Sequence, residues 1–454
     1  MGLEYKRVLV FGTGISGIAA AKLLHQVAAD IILYDGNEAL EEKDIRAKLP
    51  GDFKGSIRLG SLPEEIIGTL DLTVLSPGVP TDLDIVNKLR DNQIPIWGEI
   101  ELAYCFSKGK IAAITGTNGK TTTTTLVGEI MKTFYDSVFV VGNIGVPYTG
   151  TVLETSEESV TVAEMSSFQL ETIHSFKPDV SAILNITPDH LNRHHTMENY
   201  IAAKVNITRN QGKDDVCVLN YEDTVLREIG GKLAAKVFYF SSLHKLEEGI
   251  YLDEDKIIYR HEHEKTLICS IEELNIFGRH SYENVMAAVA MAISLKVPLD
   301  CIRKAVTSFV AVEHRIEFVT TKNGVKYYND SKGTNPDASM KAIESMPTPT
   351  LLIAGGYDKG SEYDEWLEAF GGKIRCLVLL GQTREKIAAA ARRHGFENII
   401  MADSLSEAVE VCAAKANRGD SVLLSPACAS WGMFKNYEER GRLFKEYVRN
   451  LEDN

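Results

Sequence analysis

Gly119, Lys120 and Thr121 follow an apolar run at 111–114 and open a threonine-rich stretch, so that residues 111–122 read Ile-Ala-Ala-Ile-Thr-Gly-Thr-Asn-Gly-Lys-Thr-Thr. That order of residue types suits a phosphate. Gly116 and Gly119 let the backbone turn its N–H groups toward an anion, and a helix N-terminus adds partial positive charge there. Lys120 can reach the β- and γ-phosphates, and the Thr121 hydroxyl can ligate Mg²⁺. The expected chemistry is hydrolysis of ATP or transfer from it. The common G-x-x-x-x-G-K-[ST] spacing wants its first glycine where this chain has Ile114; the glycine stands at 116 instead.

Other groups could serve the same chemistry. Glu164 ends the apolar run that begins at Val160 and precedes Met165-Ser166-Ser167-Phe168-Gln169. An acid at a strand end near a phosphate loop is where a Mg²⁺ ligand belongs. A further apolar strand, Val180 to Asn185, opens into Asp189, His190, His194 and His195. Such a cluster admits zinc, a solvated loop, or a hard-metal and phosphate site, although no cysteine or i, i+4 pair completes a tetrahedral set. Met197 to Ile207 reads as a helix bearing Lys204 among Ala202, Ala203 and Val205, where a lone lysine ordinarily faces solvent. The charged stretch Glu254 to Lys265 reads as a solvated hairpin. Tyr282 to Leu295 reads as a core helix, with Asn284 near its start able to face a base.

A second glycine loop opens the chain. Arg7 to Phe11 is a strand, Gly12-Thr13-Gly14-Ile15-Ser16-Gly17 follows, Ile18 to Val27 is helical in composition, and Ile31 to Asp35 ends in an acid. This is a Rossmann fingerprint. With only about 100 residues before the second loop, one mononucleotide half is expected to fit and two are not, which favours a nucleotide diphosphate and leaves NAD as the alternative. Leu72 to Leu75 leads into Ser76-Pro77-Gly78-Val79-Pro80, a loop at a strand's carboxyl end.

The elements that must position these groups alternate strand and helix throughout. After a composition change near Val310 to Glu317, Tyr327 to Asn329, Leu351 to Gly356, Cys376 to Gly381, Ile399 to Asp403 and Ser421 to Ser425 read as buried strands of a largely parallel sheet. The fold class is therefore α/β with three domains: Rossmann-like at 1–97, a central P-loop ATPase domain with a mainly parallel sheet at 98–311, and a C-terminal Rossmann-like domain at 312–454. A chain of 454 residues, 44% hydrophobic, suits about three cores. A net charge of −14 argues against a nucleic-acid partner. No run of 18 apolar residues and no cleavable leader stands out, so a soluble, cytoplasmic protein without a membrane span is expected. The seven scattered cysteines suit reduced thiols.

Taken together, Thr115-Gly-Thr-Asn-Gly-Lys-Thr121, Glu164 with Ser166-Ser-Phe-Gln-Leu170, Asn185-Ile-Thr-Pro-Asp-His190, Ala203-Lys204, His314-Arg315, Asn329-Asp-Ser-Lys332 and Leu424-Ser-Pro-Ala-Cys-Ala-Ser430 resemble the Mur ligases of bacterial peptidoglycan synthesis, in order and along essentially the whole chain. The resemblance implies an ATP-dependent, amide-bond-forming ligase that adds D-glutamate to UDP-N-acetylmuramoyl-L-alanine through an acyl phosphate. It further implies two Mg²⁺ ions, one on Thr121 and Glu164 and one on His190 and a carbamate of Lys204. ATP would lie on Gly116, Thr117, Asn118, Gly119, Lys120, Thr121 and Thr122, with Asn284, Arg315 and Asp330. Gly14, Ser16, Asp35 and Gly78 would border the uridine diphosphate, and Asn143 and Ser166 the sugar-peptide portion. Lys359, Thr334, Ser430 and Tyr437 would hold D-glutamate beside Lys332. Lys120, Glu164, His190 and Lys204 are thus the expected catalytic set, in a monomer. Gly36, after Asp35, offers uracil no side-chain donor. A folylpolyglutamate-type or other Mur-type ligase and a P-loop regulatory ATPase are the competing readings.

Overall fold

The computed structural model describes residues 3–4, 6–276, 278–310, 313–346 and 348–452, with the backbone alone described at position 192. The chain forms two compact units, Met1–Glu273 with Glu283–Ser308, and Leu274–Tyr282 with Phe309–Asn454. The expected boundary between 311 and 312 lies outside the described residues.

The first unit holds two sheets. In the first, β1 (Arg7–Phe11), β2 (Asp30–Asp35), β3 (Ser56–Leu59), β4 (Leu72–Leu75) and β5 (Ile96–Gly98) pair in parallel in the order β3-β2-β1-β4-β5. The expectation of one mononucleotide half is corrected here. The strand order continues past β1 to β4 and β5, and so reverses at a switch point as in a doubly wound sheet. The short chain suffices because its elements are short: β5 has 3 residues, and the helices Glu42–Arg46 and Glu64–Ile67 have 5 and 4. The first helix, Ile15–Gln26, also begins earlier than expected, because Ile15-Ser16-Gly17 forms its opening turn.

The second sheet contains β6 (Lys110–Thr115), β7 (Val138–Gly142), β8 (Val160–Glu164), β9 (Val180–Ile183), β10 (Val216–Asn220), β11 (Lys236–Ser241), β12 (Gly249–Asp253), β13 (Lys256–His261) and β14 (Glu264–Ser270), in the order β14-β13-β12-β11-β10-β9-β6-β8-β7. From β7 to β12 the neighbours are parallel; β13 and β14 add an antiparallel edge in which the charged stretch 254–265 falls. β6 is buried between β8 and β9, so its residues are apolar on both faces. The two sheets share one continuous core through the helix Glu99–Tyr104. Two buried carboxylates of that helix dock it. Glu99 accepts from Thr149 N at 2.6 Å and Thr149 Oγ1 at 2.8 Å, and Glu101 accepts from the N–H groups of His174, Ser175 and Phe176 at 2.7–3.0 Å.

In the second unit, β15 (Glu317–Lys322), β16 (Val325–Asn329), β17 (Thr350–Ala354), β18 (Ile374–Leu379), β19 (Ile399–Met401) and β20 (Ser421–Leu424) form a sheet in the order β15-β16-β20-β17-β18-β19. Only the β15–β16 pairing is antiparallel, and a core cluster covers each face. All seven cysteines are free thiols. No helix among the described residues is long and apolar enough to cross a membrane.

Candidate functional site

The second sheet delivers its chemistry at the carboxyl ends of β6 and β8. Ile114 remains inside β6, fully buried and paired with Glu164 of β8. The backbone turns only afterwards, with Gly116 at φ +151° and Gly119 at φ +84°. That is why the first glycine stands at 116 and not at 114: side chains rarely adopt such backbone angles. Space adds to the requirement, since a Cβ on Gly119 would sit 2.2 Å from Asn284 Oδ1. The helix Lys120–Lys132 follows, and no side chain caps its first turn. Uncapped N–H groups at a helix N-terminus are donors for an anion.

The segment after β9 grips this loop. Asn118 N donates to Asn185 Oδ1 at 2.8 Å and Asn185 Nδ2 donates back to the Asn118 carbonyl at 3.1 Å, while Thr117 Oγ1 meets the Thr187 carbonyl at 3.1 Å and the Tyr200 hydroxyl at 3.0 Å. Lys120 Nζ donates across the loop to the carbonyls of Gly116 and Thr117 at 2.9 and 2.8 Å. The helix Arg279–Ser294 begins earlier than the expected Tyr282, so Asn284 lies in its second turn, where it accepts from Thr123 Oγ1 at 3.3 Å beside the loop.

Lys204 is not a solvent-facing charge. It is 2% exposed, and its Nζ donates to the Gly116 carbonyl at 2.7 Å. The helix Met197–Val205 packs one face on the loop, and Tyr200 and Lys204, one turn apart, share that face; Nζ lies 4.6 Å from the Tyr200 ring centroid. Burial pushes the Lys204 ammonium well below its ordinary range, the charge of Lys120 adds to this, and Asp189 opposes it. On the other side of the helix, Ala202, Asn199 and Asn206 line a cavity of about 680 Å³.

Glu164 is 1% exposed. Its Oε1 accepts from Asn143 Nδ2 at 2.8 Å, whereas Oε2 is buried without a hydrogen-bond partner. A buried, orphaned carboxylate oxygen is costly unless a cation completes it, and the oxygens of Glu164 and Thr121 are hard donors of the kind Mg²⁺ takes. Ser166 caps the short helix Ser167–Leu170 through a capping box with Gln169. His190 sits in the left-handed region at φ +54°, half exposed, with its ring centroid 5.0 Å from that of Phe168 in an edge-on arrangement and Nε2 3.5 Å from Asp189 Oδ2. The three histidines do not converge. His194 turns to Ser167 Oγ at 2.9 Å and Glu171 at 3.3 Å, and His195 to Asp82 at 3.4 Å. The zinc alternative therefore fails on geometry.

The glycine loop after β1 is built differently. Gly12 has φ +106°, and a Cβ on Gly17 would meet the Gly12 carbonyl oxygen at 1.8 Å, so the helix presses directly on the turn. Gly14 has open space around it, Ser16 is partly exposed, and Gly78 is exposed on the loop after β4. Asp35 closes the loop: Oδ2 accepts from Thr13 N and Oγ1 at 3.0 and 2.8 Å, and Oδ1 from Asn37 N at 3.1 Å.

In the second unit, Lys359 is exposed after β17, Ser430 is 4% exposed after β20, and Lys332 Nζ lies 5.5 Å from the Tyr437 ring centroid. Thr334 N donates to the Lys332 carbonyl at 2.9 Å. Asp330 is wholly enclosed: Ser425 Oγ and Ile316 N donate to it at 2.7 and 3.3 Å, and burial pushes its pKa up to about 7 against the pull of Arg315. Sequence reasoning missed Tyr200 and Arg440. Tyr200 left only the i, i+4 spacing to Lys204 as a signal. Arg440 is 1% exposed, with Nε on Ser331 Oγ at 3.0 Å and a guanidinium N–H on the Ser331 carbonyl at 2.7 Å, and nothing local marks it.

This arrangement is that of a three-domain ATP-using ligase, and the chain belongs to the Mur ligase family. It matches the MurD-like N-terminal domain of Mur ligases over residues 6–98, the Mur ligase middle domain over 114–292 and the Mur ligase glutamate ligase domain over 314–428. It is 66% identical to the UDP-N-acetylmuramoylalanine--D-glutamate ligase of Lachnoclostridium phytofermentans over 99% of both chains, and 57% identical to the enzyme of that name from Lachnospira eligens over 99% of this chain and 100% of that one. The fold is also that of MurF from Acinetobacter baumannii, at 16% identity, a TM-score of 0.62, and coverage of 98% of this chain and 93% of that one.

Proposed function

We propose that this chain adds D-glutamate to UDP-N-acetylmuramoyl-L-alanine, using ATP to activate the terminal carboxylate as an acyl phosphate. The single observation that carries the reading is the full-length 66% identity to a ligase of that name, over a chain whose Lys120 and Lys204 both meet the Gly116 carbonyl of a phosphate loop. An ionised carboxylate is a poor electrophile. Transfer of the γ-phosphoryl group to it converts an oxygen into a leaving group; the amine of D-glutamate then attacks the carbonyl carbon, and the tetrahedral intermediate expels phosphate.

In this reading the loop N–H groups at 116–122 and Lys120 hold the β- and γ-phosphates, and Asn284 and Arg315 contact the rest of ATP, with Asp330 supporting Arg315. Mg²⁺ bound by Thr121 and Glu164, and a second ion by His190 and Lys204, would neutralise charge on the transferring group. Lys204 fits a carbamate: a buried amine kept neutral adds to CO₂, loses a proton, and becomes an anion with two hard oxygens. Gly14, Ser16, Asp35 and Gly78 border the uridine diphosphate, Asn143 and Ser166 the sugar-peptide portion. Lys359, Thr334, Ser430 and Tyr437, with Lys332, hold the two carboxylates of D-glutamate. The enzyme is read as a cytoplasmic monomer.

The test is phosphate release with UDP-N-acetylmuramoyl-L-alanine against a panel of D- and L-amino acids. Release that requires both the nucleotide-linked acceptor and D-glutamate is expected. Release without either would instead point to a regulatory ATPase.

A further inference from the structure

The loop that carries Arg315 is held in a conformation its own residues disfavour. His314 has φ +66° and Ile316 φ +45°, the latter a β-branched residue in the left-handed region. Something must over-determine that backbone. His314 N donates to Glu317 Oε2 at 3.0 Å, Lys332 N donates to the His314 carbonyl at 3.0 Å, and Lys445 Nζ bridges Glu313 and Glu317 at 2.6 and 2.9 Å. Asn329 Nδ2 donates to His314 Nδ1 at 2.9 Å, which makes Nδ1 the unprotonated nitrogen of a neutral ring.

The ring itself rests on Gly441, inside the helix Tyr437–Arg449. Glycine is a poor choice in a helix interior. A Cβ at 441 would lie 2.2 Å from His314 Nδ1, 2.8 Å from its Cε1 and 2.9 Å from its Cγ. The side chain that alanine would add has nowhere to go, because the ring is 3% exposed and its Nδ1 is held by Asn329, whose Nδ2 also donates to the Gly441 carbonyl at 3.4 Å.

We infer that Gly441 is a positioning residue: it forms a socket for the His314 ring, and the seated ring holds the strained turn that presents the Arg315 guanidinium, whose Nε is buried without a partner. This rests on Arg315 contacting ATP, as proposed above. Gly441 touches no substrate and acts only through the His314 turn.

Six full-length enzymes test it by initial rates: wild type, Gly441→Ala, His314→Ala, Arg315→Gln and the two doubles that combine Gly441→Ala with each of the others. Gly441→Ala is expected to raise KM for ATP about tenfold while KM for D-glutamate and kcat change less than about threefold. In the His314→Ala background, where the ring is gone, and in the Arg315→Gln background, where its effector is gone, the same substitution should change KM for ATP less than about twofold. If Gly441→Ala does not fold alone, recovery of a cooperative melt in the double with His314→Ala supports the socket equally. An unchanged KM for ATP in Gly441→Ala, or equal damage in the presence and absence of the ring, overturns the inference. Arg315→Gln with a normal KM for ATP overturns instead the nucleotide role of Arg315, and leaves the socket to be judged by the melts.

Discussion

The first unit contains two glycine loops, each between a parallel strand and a helix N-terminus, and they differ in what surrounds them. At Gly12–Gly17 the neighbours are hydroxyls and one carboxylate, and Asp35 spends its oxygens on Thr13 and Asn37, closing the turn. At Gly116–Thr122 two lysines converge on one carbonyl, one of them almost fully buried, and Glu164 nearby keeps an unpaired oxygen. The same backbone solution therefore serves two purposes. A loop that only binds a diphosphate needs donors and space, whereas a loop that transfers a phosphoryl group needs charges placed where the transition state develops its own.

The sharpest way to break this comparison is Lys120→Ala. Losing a cation aimed at the transferring group should raise the barrier by about 3 to 5 kcal/mol, a hundred- to several-thousandfold in rate, with the fold intact. Single-turnover acyl-phosphate formation measures it, and near-normal turnover would reduce the second loop to a binding loop like the first.

Lys204→Ala should cost about 2 to 4 kcal/mol in the same step while nucleotide affinity changes little. Supplied with ¹³C-bicarbonate, the wild-type enzyme should show a carbamate carbon signal that is lost in the variant; a fully active enzyme with no such signal would refute the carbamate.

The buried lysine also makes the second loop the pH-sensitive one. Its folded-state pKa lies below the ordinary 10.5, so between those two values the unfolded chain binds the proton that the native state does not. Stability contributed at this position is therefore complete above 10.5 and falls as pH drops through that window, by at most about 1.4 kcal/mol per pH unit. In CO₂-free buffer, the stability of wild type relative to Lys204→Met should fall as pH is lowered below 10.5. A difference independent of pH would mean the ammonium is accommodated.

The smallest effect belongs to the first loop. Asp35→Asn weakens a turn that shapes a binding site, so KM for the uridine-linked substrate should rise by about 1 kcal/mol in free-energy terms with kcat unchanged. A fall in kcat of the size seen for Lys120→Ala would erase the distinction between the loops.

Much of this was legible along the chain because the signals are local. Glycine at 12, 116 and 119 is required by backbone angles, Lys120 and Thr121 by their offset from the turn, and Glu164 by its place at the end of a buried strand; each needs only a few neighbouring residues to be recognised. The reversal of the first sheet at β4 was not legible, because strand order depends on crossovers and not on strand composition. Nor was the burial of Lys204, since its helical neighbours are as compatible with a solvent-facing lysine as with an enclosed one. Its environment is set by Gly116, 88 residues earlier in the chain. The same holds for Gly441 and His314, unremarkable where each stands in sequence and complementary only when packed. The sequence by itself determined which residues could bend and which could carry charge; tertiary packing decided which charges are stripped of water and which rings fill which gaps, because desolvation and steric fit are properties of neighbours brought together from far along the chain.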